Sequence, residues 1–241
     1  MRYQAFNLII AKICYNFSMK RIYQLIEKNL LKRIFPQKEE LIKGALPIIT
    51  ISREKGSGGK PIANMVAKRL GEKWKVYDQQ IIDEIAKECN LEKKLIKSID
   101  DKKLPLVEEL ITEIFGRRFL NMSSYYRHLI KVLSLIGQRG YAIILGRGAN
   151  FFFPHALKVR IIAEMNYRIT WLMTQKQITR NEAMKRIDDS DEERRRFVQT
   201  LYNHDQKKSH HYNIVIRTDP NLTIEDATDI IVDLAKRRFK I

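Results

Sequence analysis

At 241 residues the chain is one large domain or one domain with insertions, too short for two full α/β domains. Hydrophobic residues make up 44%, beside ten glycines and six prolines, which excludes a largely disordered or collagen-like chain, and the two cysteines, Cys14 and Cys89, exclude a disulfide scaffold and fit a reducing, cytoplasmic setting. The net charge of +17 attracts polyanions without choosing among nucleic acid, a membrane surface and phosphorylated small molecules.

Residues 1–46 form a basic N-terminal extension, with nine Lys/Arg against three acids. Its apolar run, Ala5 to Phe17, is interrupted by Asn7, Lys12 and Asn16. It falls short of the roughly 20 apolar residues a spanning helix needs. No small-residue cleavage site marks a signal peptide. The extension reads as an amphipathic helix or a loose arm, with Met19 as an alternative start.

After Pro47 the pattern changes. Ile48-Ile49-Thr50-Ile51-Ser52 is short, continuous and β-branched, as a buried strand is. A Gly-rich turn follows, and Pro61 to Leu70 reads as a helix with Pro61 in its first turn and Gly71 at its C-terminus. Trp74–Tyr77 is a second strand, ending at Asp78. Residues 79–138 read as almost wholly helical. Ile81, Ile82 and Ile85 make the first apolar face, and Leu91, Leu95, Ile96 and Ile99 the second. A third helix opens at Pro105, and a fourth runs from about Ser123 to Ile136. Strands return at Tyr141–Leu145 and Lys158–Ala163, a polar helical stretch covers 166–206, and the last strand is Tyr212–Arg217. Thr223 N-caps a closing helix. Five short apolar strands separated by helices predict an α/β fold, a parallel sheet covered on both faces.

Strand, Gly-rich turn, lysine and helix in that order make a phosphate-binding loop. Backbone N–H groups of Gly56, Ser57, Gly58 and Gly59 would cradle phosphate oxygens, and Lys60 would reach the β/γ-phosphates. Two positions depart from G-x-x-x-x-G-K-[ST]: Glu54 stands at the first glycine, and Pro61 replaces the hydroxyl residue that ligates Mg²⁺. The ion would then be held through water, or by Ser57.

The run Ile49-Thr50-Ile51-Ser52-Arg53-Glu54-Lys55-Gly56-Ser57-Gly58-Gly59 resembles the opening of the cytidylate-kinase-like proteins, relatives of the P-loop nucleoside monophosphate kinases. Val76-Tyr77-Asp78, Ile143 to Phe151 with its Gly146-Arg147-Gly148-Ala149-Asn150 core, and Tyr212 to Asp219 resemble later segments of that family in the same order. The resemblance spans about 47–237. It implies a P-loop NTPase three-layer fold with a five-stranded parallel sheet. The 79–138 region becomes a helical monophosphate-binding insertion and 166–206 a mobile lid. It implies ATP as donor, Mg²⁺, and CMP or dCMP as default acceptor.

Residue by residue, the resemblance places Arg147 on the acceptor phosphate. Gly148 stands where cytidylate kinases carry a sugar-reading Asp, and Asn150 is the hydrogen-bonding substitute. In the lid it gives Arg168 and Arg194 catalytic roles, Arg194 as the transition-state arginine and Asp191 as its acidic companion. Arg180 and Arg186 are weaker lid candidates. Asp78 would begin the acceptor region or N-cap the helix after it. The turn that carries an acceptor-binding Arg in cytidylate kinases holds Asp83 and Glu84 here, with Arg117, Arg118 or Arg127 as substitutes from elsewhere. Three readings compete with a kinase of nucleoside monophosphates. These are a nucleotide-binding regulatory module, a kinase for another small acceptor, and an anionic-surface binder acting through residues 1–46. No specific nucleic-acid partner is expected, since aromatics are not interleaved with basic residues. His204, Asp205, His210 and His211 make a loose pattern for a metal.

Overall fold

The computed structural model describes residues 46–87, 111, 115 and 122–241. By internal contacts the chain divides into Met1–Ala45 and Leu46–Ile241, and the fold below is that of the second unit. The basic extension and the helices expected around 91–99 and after Pro105 lie outside the described residues.

Five strands form one parallel sheet: β1 (Ile48–Arg53), β2 (Lys75–Tyr77), β3 (Ala142–Leu145), β4 (Leu157–Ala163) and β5 (Ile214–Thr218), in the order β2-β3-β1-β4-β5. The helices are α1 (Gly59–Leu70), α2 (Gln79–Lys87), α3 (Ser124–Arg139), α4 (Ala149–Phe152), α5 (Met165–Lys176), α6 (Arg180–Tyr202) and α7 (Ile224–Phe239). A short 3₁₀ turn spans Ser209–His211.

Because side chains alternate along a strand, a strand buried on both faces needs apolar residues at every position. Ile49, Ile51, Ile143 and Leu145 pack with Ile62, Ala63 and Val66 of α1 and Ala227 and Ile231 of α7. Ile48, Ala142 and Ile144 point the other way, into a core with Ile82 of α2, Leu129, Leu133 and Ile136 of α3, Phe152 of α4 and Leu201 of α6. A third, small cluster joins Ile169 and Leu172 of α5 to Ala183 and Ile187 of α6.

The expected polar stretch 166–206 is two helices. Gln177 turns left-handed at the end of α5, and Thr179 starts α6 with a capping box in which its hydroxyl accepts from the Glu182 N–H. Thr223 and Asp226 make the same box at α7, as its sequence suggests. The strand after β1 begins at Lys75 rather than Trp74, since the Trp74 indole belongs to the core and packs edge-on against Tyr141. The last strand starts at Ile214 rather than Tyr212, because Tyr212 closes the 3₁₀ turn instead. Among the described residues no helix is long and apolar enough to cross a membrane.

Adjacent strands β1 and β3 continue into helices on opposite faces of the sheet: α1 joins the second core and α4 the first. A crevice opens at the carboxyl ends of such a pair, and ligands of open α/β sheets bind there.

Candidate functional site around the β1 and β3 carboxyl ends

The loop after β1 is fastened at its base. The Glu54 N–H donates to the Ile161 carbonyl at 3.0 Å, and the Ser57 hydroxyl donates to the Glu54 carbonyl at 2.9 Å. Ser57 is fully buried, and its own carbonyl accepts from the Thr218 hydroxyl at 3.1 Å. Gly58 then takes a left-handed conformation (φ 80°) and α1 starts at Gly59. The first N–H groups of α1 have no acceptor within the helix and face the loop.

Lys60 and Pro61 lie within the first turn of α1. Lys60 leaves the crevice: its ammonium pairs with Asp78 at 2.8 Å and its side chain is 60% exposed. Asp78 also caps α2, accepting from the Ile81 N–H at 3.1 Å. Burial pulls the Asp78 carboxyl upward, but the Lys60 and backbone hydrogen bonds outweigh it and hold the pKa below the ordinary value.

The crevice wall comes from four regions and from Gln206 beyond the end of α6. Ser52 and Arg53 end β1, Gly146, Arg147, Gly148 and Asn150 follow β3, Gln79 starts α2, and Glu193, Arg194 and Phe197 belong to α6. Arg147 has a left-handed backbone (φ 52°), is nearly buried, and makes a two-pronged ion pair with Asp83 of α2 whose Nε–Oδ1 arm is 3.0 Å. Its guanidinium also lies over the Phe197 ring, 4.8 Å from the centroid. Gly148 has φ 64°, and a Cβ there would collide with the Tyr202 ring, so neither the Asp of cytidylate kinases nor any other side chain fits this backbone. Asn150 is buried and its Nδ2 has no hydrogen-bond partner.

Asp191 of α6 gathers the loop and the lid region. It accepts from the Lys55 N–H at 2.9 Å, from Arg194 at 3.0 Å, and from Arg168. Arg168, 5% exposed, also donates to the Lys55 carbonyl at 2.7 Å, and Glu54 lies 3.6 Å from both Arg168 and Arg160. Arg168 therefore braces the loop from below and does not line the crevice. Arg194 does line it, and its Nε is buried without a partner. Burial lowers the Arg194 pKa against the pull of Asp191 and Glu193.

The structure thus brings Arg147, Asn150 and Arg194 to one crevice. It places Asp191 and Arg168 at the loop's base and pairs Lys60 with the buried Asp78 at the end of β2. Arg180 pairs with Asn166 away from the crevice. Arg195 and Arg196 pair with Glu192 on the exposed face of α6. Arg117 and Arg118 are outside the described residues. Sequence reasoning missed Arg53, a crevice residue, and missed Asp83 as the partner of Arg147. The signal for the first was present: a large cation directly precedes Glu54, where the loop pattern starts. His204 and His211 pack as rings against Phe151 and His210 packs against His211, and among the described residues no group of three or more His, Cys, Asp or Glu is placed to hold a metal.

The family model described as "Cytidylate kinase-like family" matches residues 48–220. A crystal structure of an uncharacterized protein from Eubacterium ventriosum superimposes with a TM-score of 0.62 at 18% identity, covering 79% of this chain and 98% of that one. The Thermus thermophilus protein TT1252 aligns over 78% of this chain and 97% of its own, at 17% identity and a TM-score of 0.43. No curated protein matches the sequence.

Proposed function

The chain belongs to the cytidylate kinase-like family, and from that premise we propose that it transfers a phosphoryl group from ATP to a nucleoside monophosphate, CMP or dCMP being the default acceptor. One observation supports an acceptor site in particular. Two buried donors, Asn150 Nδ2 and Arg194 Nε, lack partners, and both residues line the crevice beside Arg147. Buried donors left unpaired cost free energy, so their presence together calls for a ligand oxygen.

In this reading the loop amides of 56–59 and the α1 N-terminus hold the donor phosphates. Arg147 and Asn150 orient the acceptor, and Arg194 approaches from α6. An acceptor phosphate oxygen attacks the γ-phosphorus, the bond from that phosphorus to the β–γ bridging oxygen breaks, and ADP leaves. The attacking oxygen is already anionic, so positioning and positive charge do the work and no general base is needed. Mg²⁺ would neutralise phosphate charge. The donor set here suits an ion that arrives with the nucleotide, with Asp78 as a carboxylate that could hold its bound water, because Pro61 offers no hydroxyl and the Ser57 hydroxyl is spent on a carbonyl.

The Arg147–Asp83 pair favours a second reading, a nucleotide-binding regulatory module, since the acceptor arginine is already neutralised. A panel of nucleoside monophosphates and other small acceptors with ATP and Mg²⁺, read by ADP formation, separates the two. Transfer to at least one monophosphate is expected. ATP binding with no transfer to any acceptor would leave the regulatory module standing.

A further inference from the structure

Lys60 carries the expected phosphate-facing charge in the sequence, yet in the structure its ammonium is paired with Asp78 and it is not among the crevice residues. Another cationic side chain covers the start of the helix. A Cβ added to Gly59, the first residue of α1, would meet Arg53 Cβ at 2.7 Å and Arg53 Cγ at 2.8 Å. The stem of Arg53 therefore runs directly over the helix start, through the space that any side chain at position 59 would take. The guanidinium continues across the end of the sheet to β3, where a Cβ on Gly146 would collide with its Nη1. Arg53 thus spans the gap from the phosphate loop to the Gly146–Asn150 wall, and it lines the same crevice as Arg147 and Arg194.

Its charge is not cancelled there. Arg147 faces Asp83 and Arg194 faces Asp191, but no carboxylate among the described residues forms an ion pair with Arg53. Asp78 and Asp191 attract it from farther away, while Arg194 and Arg147 repel it. Burial first, and then Arg194, push its pKa down to about 9, and it remains a cation at neutral pH. A partly buried arginine with two arginine neighbours and no carboxylate partner is the chemistry of an anion site.

We propose that Arg53 replaces Lys60 as the crevice cation, binding the phosphate oxygens between donor and acceptor through its guanidinium. Gly59 is then glycine because the arginine needs its space, and Lys60 is left to brace Asp78. The proposal rests on the phosphotransferase reading for its ligand, a nucleoside triphosphate, but the anion site itself does not.

The test uses the full chain and calorimetric titration with ATP plus Mg²⁺, and separately with pyrophosphate. Arg53→Gln is expected to weaken ATP binding at least tenfold. Arg53→Lys, which keeps a cation on the same path, is expected to recover part of that loss and guards against a misfolded Gln variant. Lys60→Ala is expected to lose no more than about threefold, the effect of a remote charge. If Arg53→Gln binds like wild type, or Lys60→Ala loses as much as Arg53→Gln, the replacement is overturned. If wild type binds pyrophosphate through Arg53 but not ATP, the nucleotide reading falls and the anion site stands. If wild type binds neither, both fall.

Discussion

At the residue scale the crevice is a contest over a few charges. Arg147 enters it with its forks already closed on Asp83, so an acceptor phosphate must share or displace that carboxylate. A charge-assisted hydrogen bond contributes about 1.5–3 kcal/mol. Arg147→Ala is therefore expected to raise the acceptor KM roughly ten- to hundredfold while the KM for ATP changes little. Asp83→Asn removes the competing charge and keeps a polar group near the guanidinium, so the acceptor KM should fall. Steady-state rates over acceptor concentration check both, and an acceptor KM unmoved by either change would take Arg147 out of the site. Asp83 was visible in the sequence only as an unexpected acid where cytidylate kinases carry an arginine. Its partner, 64 positions away, is brought to it by the fold. The same holds for Arg53. Spacing alone puts the loop cation at Lys60, and the Lys60–Asp78 pair and the path of Arg53 over Gly59 show only in the fold.

At the element scale the central strands β1 and β3 were legible because each is a short run of mostly apolar or β-branched residues, the pattern of a parallel strand buried on both faces. The capping threonine of α7 was legible for a similar local reason. The break between α5 and α6 was equally written, as Thr179 followed three residues later by Glu182, but a long polar run hides a cap unless each Thr-x-x-Glu is checked. What no local pattern shows is how α7 meets the turn before β4. Arg238 of α7 donates to the His155 carbonyl at 3.0 Å, and the His155 Nε2 is buried without a partner. Burial, then Arg238 and Lys158, lower the His155 pKa from 6.5 to about 4. The folded protein thus refuses a proton that the unfolded chain accepts. Stability from this group is complete above pH 6.5 and declines as pH falls toward about 4. His155→Gln is expected to shrink the drop in urea midpoint between pH 7 and pH 5. An equal drop in wild type and variant would remove His155 as its cause.

At the scale of the whole molecule, one carboxylate joins the arm formed by α5 and α6 to the phosphate loop. Asp191 accepts from the backbone of Lys55, from Arg168 and from Arg194, so the loop, the start of α5 and the middle of α6 share a single hub. The core contacts inside the arm are few, four buried residues with Ile169 and Leu172 facing Ala183 and Ile187. The C-terminal end of α6 is anchored in the sheet core through Leu201 and Tyr202, so Asp191 is the tie between the outer part of the arm and the loop. Removing Asp191 strands the nearly buried Arg168, although Glu54 at 3.6 Å offsets part of the loss. The expected cost is about 3 kcal/mol, the lower end for breaking a buried ion pair. Its location matters more than its size. In Asp191→Ala, amide hydrogen exchange is expected to rise across 180–202 and at the 54–58 loop, while α7 keeps its protection. A uniform rise across all helices would instead make Asp191 an ordinary fold contact, and the arm would have no independent hinge at the loop.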